Sequence, residues 1–234
     1  MPFPTDPGPV SIHRVAEALG DLAGDVVFVG GAVLPLLATA PVLPDFRETD
    51  DVDLIAEIVS RVQLYRFEEA LRARGFVNDQ TPGAPLCRWR LGPLVVDAMP
   101  TDPAVLGFSN RWYPQVMEAS WLYRFEAGPA VRVASAPTFL ATKWAAFQQR
   151  GHSRSGKPDY YGSHDLEDIL TLVDAREETV SDTAEAAPEV RAELVAATRT
   201  LLSDGRFMDA LPGLVERGRE ATVLDRLRQI ATLR

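Results

Sequence analysis

Phe28-Val29-Gly30-Gly31, followed after nineteen intervening residues by Asp51-Val52-Asp53-Leu54, is the pattern that decides how this chain is read. Val26–Val29 is a β-branched and aromatic run, the composition of a buried strand. Gly30-Gly31 break it, and Ala32–Thr39 is expected to start a helix at once, with Pro35 tolerable only in its first turn. A strand-to-helix turn of this kind exposes backbone N–H groups at a helix start, where negative charge is favoured, so Gly30 and Gly31 form a candidate phosphate seat. A Gly-Gly pair alone is common in turns. Asp51–Ala56 is the next expected strand. Residues two apart on a strand share a face, so Asp51 and Asp53 project together while Val52 and Leu54 turn to the core. Adjacent carboxylates repel unless a cation compensates them, and hard oxygen ligands held close together suit Mg²⁺. Taken alone, Asp-x-Asp is more often a solvated acidic strand end.

A third carboxylate changes that balance. Leu94-Val95-Val96-Asp97 is an apolar run closed by an acid. It is expected as the second arm of a hairpin, Arg88–Leu91 with Leu94–Ala98, turning at Gly92-Pro93. Asp97 then lies near the sheet surface, where a neighbouring strand can present Asp51 and Asp53. A strand, a Gly-Gly turn, Asp-x-Asp and a later strand-borne Asp form a more specific signal together than any one of them.

Outward from this core, residues 1–10 read as a disordered proline-rich lead, with no basic segment of the kind a secretory signal carries. Ser11–Leu22 has helical spacing, and Ser60–Arg74 is amphipathic with a closing Gly75. Ala40–Glu48 is a proline-rich loop, and further strands are expected at Trp121–Phe125 and Ala130–Val133. From Ser135 the pattern becomes helical: Pro137–Arg150, Asp165–Ala175, Pro188–Leu202 and Glu220–Leu233. The organisation is therefore an α/β (α+β) domain over residues 11–134, a mixed sheet with flanking helices, followed by a C-terminal helical bundle over residues 135–234.

These residues resemble the nucleotidyltransferase superfamily, in order from about Val26 to Ala175, through Gly-Gly, hydrophobic-Asp-hydrophobic-Asp and the third acid. More narrowly the chain resembles the AbiEii/MenT group of bacterial nucleotidyltransferases. Phe139-Leu140-Ala141-Thr142-Lys143 and Ser163-His164-Asp165-Leu166-Glu167-Asp168-Ile169 look like that group's lysine and aspartate helices. The resemblance implies metal-assisted transfer of a nucleotide from an NTP to a hydroxyl. Asp51, Asp53 and Asp97 would hold two Mg²⁺ ions (or Mn²⁺), and Asp97 would help deprotonate the acceptor. Gly30, Gly31, Lys143 and Arg150 would meet the nucleotide, and Asp165 would sit in the site with Asp168 as a partner. The implied acceptor is a tRNA 3′ end or another RNA. A cognate antitoxin is an implied partner, and the location is the bacterial cytoplasm. The same motifs serve transfer to a small molecule such as an antibiotic, and a non-catalytic toxin–antitoxin element is the third reading. Two departures stand out: the long gap between Gly31 and Asp51, and Ala32 where many members place serine or threonine.

Charge bears on these readings. The 234 residues hold 24 basic and 33 acidic side chains, a net of −9, which excludes a general basic coat for nucleic acid. The sign is segregated, however. Pro129–Pro158 contains no acid and five basic residues, whereas Asp45–Asp53 packs five acids against one arginine. Gly151–Gly162, with His152, Arg154, Lys157, Tyr160 and Tyr161, reads as a basic loop able to clamp phosphate or stack on a base, or as a plain connector. The aromatics of Leu106–Tyr113 and Arg88-Trp89 line a pocket or fill the core, the second being the commoner fate. Cys87, the sole cysteine, excludes an internal disulfide or a cysteine-based zinc site, suits a reducing compartment and reads as a small buried hydrophobe. Val26–Pro44 is uncharged, but Pro35, Pro41, Pro44 and the glycine pair argue against one membrane-spanning helix.

Overall fold

A computed structural model describes residues 7–40, 49, 51–153 and 156–234. The chain divides into two compact units, Met1–Leu36 with Phe46–Ser135, and Leu37–Asp45 with Ala136–Arg234.

The first unit is built on a seven-stranded mixed sheet. Its strands are β1 (Val26–Val29), β2 (Asp51–Ala56), β3 (Val77–Asn78), β4 (Arg88–Leu91), β5 (Leu94–Pro100), β6 (Trp121–Arg124) and β7 (Ala130–Val133). They lie in the order β3-β4-β5-β2-β1-β7-β6. β2 runs parallel to β5 and antiparallel to β1, and β1 runs parallel to β7. Every residue of β1 is buried, as its unbroken apolar run requires of a central strand. Helices α1 (Pro7–Leu19), α2 (Leu34–Leu37), α3 (Arg61–Ala73), α4 (Pro103–Leu106) and α5 (Tyr113–Glu118) belong to this part of the chain, α2 reaching its boundary. Ser60 caps α3, its hydroxyl accepting the Gln63 N–H at 3.3 Å.

The second unit is helical. α6 (Ala136–Arg150), α7 (His164–Ala175), α8 (Thr179–Glu185), α9 (Pro188–Ser203), α10 (Gly205–Ala210) and α11 (Glu220–Thr232) make it up. Apolar faces of α6, α7, α9 and α11 meet through residues such as Leu140, Val173, Leu194 and Leu227, all buried. A run of rings, Trp144–Phe147–Tyr160–Phe207, extends that core, with successive centroids 5.5, 6.1 and 5.6 Å apart. A short upstream segment joins this unit. Thr39 and Ala40 donate their N–H groups to the Ala175 carbonyl, and Arg176 Nη1 donates to the Leu37 carbonyl. Among the described residues no helix is long and apolar enough to cross a membrane.

The architecture is thus mixed α/β with a C-terminal helical bundle. In detail it departs from the sequence reading in four places. The first helix begins at Pro7, so the end of the proline-rich lead is helical, while residues 1–6 lie outside the described residues. The helix expected after Gly31 is a 3₁₀ turn, Gly31–Val33, continued by α2, which puts Pro35 in the first α-helical turn, where it lacks no needed N–H. Leu106–Tyr113 is not one loop but the end of α4, a connector and the start of α5, and α8 and α10 lie where no helix is expected. The expected loop at residues 40–48 falls almost wholly outside the described residues.

Candidate metal centre

Asp51 and Asp53 stand on β2 with half-buried side chains, alternating with the buried Val52 and Leu54. The parallel pairing of β2 and β5 places Asp53 directly opposite Asp97. One carboxylate oxygen from each of Asp51, Asp53 and Asp97 lies within 4.8 Å of the others, a cluster able to hold a divalent cation. Three anionic oxygens this close repel one another, so their convergence is stable only beside compensating charge.

Part of that charge belongs to the protein. Arg88 stands opposite Asp97 in the β4–β5 hairpin. Its Nε donates to Asp97 Oδ1 at 2.9 Å and its Nη2 to Asp97 Oδ2 at 2.6 Å, a two-pronged fork. The hydrogen bonds it donates to Asp97 and the negative charges around it hold the guanidinium pKa above its ordinary value. Thr49 adds a neutral contact, its hydroxyl donating to Asp51 Oδ1 at 2.8 Å.

The glycine turn touches the same cluster. Val29 pairs with Asp53 across β1 and β2. Gly30, with φ +73°, sits so close that a Cβ there would lie 1.9 Å from Asp53 Oδ2. Glycine at this position is therefore required twice, by the backbone angle and by the carboxylate. Cys87, the residue before β4, borders the site. Its thiol is buried, and burial together with the charges of Asp97 and Asp53 pushes its pKa to about 12.

The helical unit holds a second charged cluster. Lys143 Nζ on α6 lies 2.5 Å from Asp168 Oδ2 and 3.6 Å from Asp165 Oδ1 on α7. Arg150 forks the same Asp165 through Nε at 2.7 Å and Nη2 at 2.9 Å. Both aspartates are 4% exposed. Burial alone would push the Asp165 carboxyl up, but the Arg150 hydrogen bond and the charges of Lys143 and Arg150 outweigh it, leaving the group below its usual range.

The structure therefore gathers the sequence candidates into two sets: Gly30, Asp51, Asp53 and Asp97 with the 3₁₀ turn at Gly31 in one unit, and Lys143, Arg150, Asp165 and Asp168 in the other. Asp50, which the sequence places beside the pair, lies outside the described residues. Trp89, Trp112 and Tyr113 are buried, so they fill the core and do not line a pocket. In the basic segment, Tyr160 is buried with its hydroxyl donating to Asp204 Oδ2 at 2.7 Å, whereas Tyr161 is exposed. His164 pairs with Glu167 at 3.2 Å.

Comparison with known proteins adds little beyond this. No protein-family model and no curated protein matches the chain. Among solved structures it is similar to an antigenic nucleotidyltransferase-like protein from Paracoccidioides brasiliensis, with 16% identity, a TM-score of 0.45, and coverage of 86% of this chain and 93% of that one.

Proposed function

We propose that the chain is a divalent-metal-dependent nucleotidyltransferase, moving a nucleotidyl group from an NTP to a hydroxyl acceptor. The observation that carries this reading is the convergence of Asp51, Asp53 and Asp97 from two adjacent strands, their ligand oxygens within 4.8 Å. Mg²⁺ or Mn²⁺ held there would supply Lewis-acid stabilisation of charge on phosphoryl oxygens. Asp51 and Asp53 are assigned as shared ligands. Asp97 is assigned as a ligand and not as a base, because both its oxygens already accept hydrogen bonds from Arg88. Gly30 and Gly31 are assigned to phosphate oxygens through their backbone, with the Ala32 methyl adding no hydroxyl contact. In the reaction an acceptor oxygen–α-phosphorus bond forms, the α–β bridging bond breaks, and pyrophosphate and the acceptor proton leave. For Lys143, Arg150 and Asp165 a part in nucleotide binding is supported by the sequence resemblance, and by Asp165 orienting both cations.

The narrower reading, transfer to tRNA by a toxin-type enzyme with an antitoxin partner, is supported by the AbiEii/MenT-like helices at Phe139–Lys143 and Ser163–Ile169. The test is incubation with each labelled NTP, Mg²⁺, and total tRNA or an aminoglycoside mixture in parallel. Label is expected in tRNA with wild type and none with Asp51→Ala or Asp53→Ala. Label in the aminoglycoside arm alone replaces the tRNA reading, and no transfer with any NTP and either acceptor overturns the enzyme reading.

A further inference from the structure

The fork from Arg88 to Asp97 has an energetic consequence for the carboxylate cluster, and the inference drawn from it rests on the metal-site reading above. Three ionised carboxylates carry a formal charge of −3. Arg88 returns one positive charge to the cluster through Asp97. The guanidinium is no incidental surface group. It is placed by cross-strand register, its side chain is 29% exposed against 11% for Asp97, and it occupies both oxygens of that carboxylate. A divalent cation approaching Asp97 therefore meets a resident positive charge already bonded to its ligand.

We propose that Arg88 is the built-in counter-ion of the cluster. It holds Asp97 aligned while no metal is bound, and it sets metal affinity by competing with the cation for that carboxylate. Arg88 is in this sense a positioning residue, acting through Asp97. Arg88 forks neither Asp51 nor Asp53. Asp97 joins as the guanidinium gives up part of its fork. The arrangement keeps the cluster from unravelling without metal and weakens retention of the cation.

Mn²⁺ binding, followed by electron paramagnetic resonance and calorimetry, tests this directly. Removing one positive charge a few ångströms from the ion in a half-solvated site is worth about a five- to tenfold tighter dissociation constant. Arg88→Gln is expected to bind Mn²⁺ that much more tightly than wild type, to melt lower in EDTA, and to recover its melting temperature when Mn²⁺ is added. Arg88→Lys keeps the charge and is expected to stay within about twofold of wild type. Equal or weaker Mn²⁺ binding by Arg88→Gln, with binding lost in Asp51→Asn, overturns the counter-ion role and leaves the metal site standing. Wild-type binding that is absent, or unchanged in Asp51→Asn, overturns both. A second measurement needs no Arg88 variant: the Arg88 Nε–H resonance of the wild-type protein is expected to shift as Mg²⁺ is added, but not in Asp51→Asn. A resonance that stays still while Mg²⁺ binds overturns the proposal.

Discussion

Gly30 and Asp53 are packed so tightly that no side chain fits between them: a Cβ on Gly30 would fall 1.9 Å from Asp53 Oδ2 and 2.8 Å from its Cγ. The turn that ends β1 and the carboxylate that β2 contributes to the acidic cluster are one steric unit. The glycine and the aspartate lie far apart in sequence, but the antiparallel register of Val29 with Asp53 brings them side by side.

Gly30→Ala is therefore expected to do more damage than a glycine-to-alanine change at a positive-φ position with open space around it. With φ +73° and ψ −171°, Gly30 occupies a region essentially reserved for glycine, which costs an L-residue about 1–3 kcal/mol. The clash then forces Asp53 off its position in the cluster. Gly107→Ala is the control, since Gly107 has φ +83° but nothing within 4 Å of the added methyl. The control is expected to lower the melting temperature by roughly 2–8 °C, with Mn²⁺ binding unchanged. Gly30→Ala is expected to fall further and also to lose Mn²⁺ affinity. Equal effects of the two substitutions would show that Asp53 yields easily, and calorimetry beside thermal melts decides it.

The Lys143–Asp168 pair is expected to hold α6 to α7. Lys143 is 12% exposed in its side chain and Asp168 6%. Removing one partner of a buried ion pair leaves the other uncompensated, at a cost of about 3–5 kcal/mol. Lys143→Met should show that loss in chemical denaturation, and Lys143→Met with Asp168→Asn should restore at least half of it. Arg150→Ala should cost less, about 1 kcal/mol, because the Arg150 side chain is 72% exposed and its pair is solvent-screened. A loss under about 1 kcal/mol for Lys143→Met would mean that the lysine is not structural. Its placement would then be explained by ligand binding alone.

Acid should loosen the same pair of helices through Asp165. Its carboxyl is held below the ordinary value of 3.8, so the folded state binds that proton less readily than the unfolded chain. The sign follows by linkage: the stabilisation is fully present above the unfolded value and disappears as pH falls through the folded one. The stability difference between wild type and Asp165→Asn should thus be flat from neutral pH down to about pH 5 and shrink below about pH 4. Urea midpoints at half-unit pH steps measure it. A difference that grows on acidification would contradict the assigned direction.

Much of the fold was legible because its central elements carry strong local patterns. β1, β2 and β7 span the same residues in sequence and structure, since β-branched runs bounded by glycine, proline or acids leave few alternatives. The carboxylate cluster was legible for the same reason: period-two alternation fixes the shared face of Asp51 and Asp53, and an acid closing an apolar run marks Asp97. Arg88 was within reach and was missed. A two-residue turn at Gly92-Pro93 puts Leu91 opposite Leu94 and hence Arg88 opposite Asp97, so the fork follows from counting back along the hairpin. Thr49 was not reachable in this way, because no sequence period connects it to the cluster. The short helices α4, α5, α8 and α10, four to seven residues each, are too brief to display a helical period.

Cys87 offers a last test, of how firmly the hairpin beside the cluster stays closed. The thiol is 4% exposed, and burial first, then the charge of Asp97, moves its pKa from 9.0 to about 12. At pH 8 the native protein should hold it as an unreactive thiol, since the thiolate is the attacking species. Ellman's reagent is expected to react with it only in denaturant, or at the rate at which β4 and β5 open. Between pH 9 and about 12 the unfolded chain ionises this thiol while the folded chain does not, so stability should fall with pH across that window. Cys87→Ala should flatten that slope. The same variant leaves a smaller side chain in the core, so it should also lose about 1 kcal/mol at pH 7. Fast labelling of the native protein at pH 8 would mean that the hairpin opens readily and that Asp97 is not held in place within the carboxylate cluster.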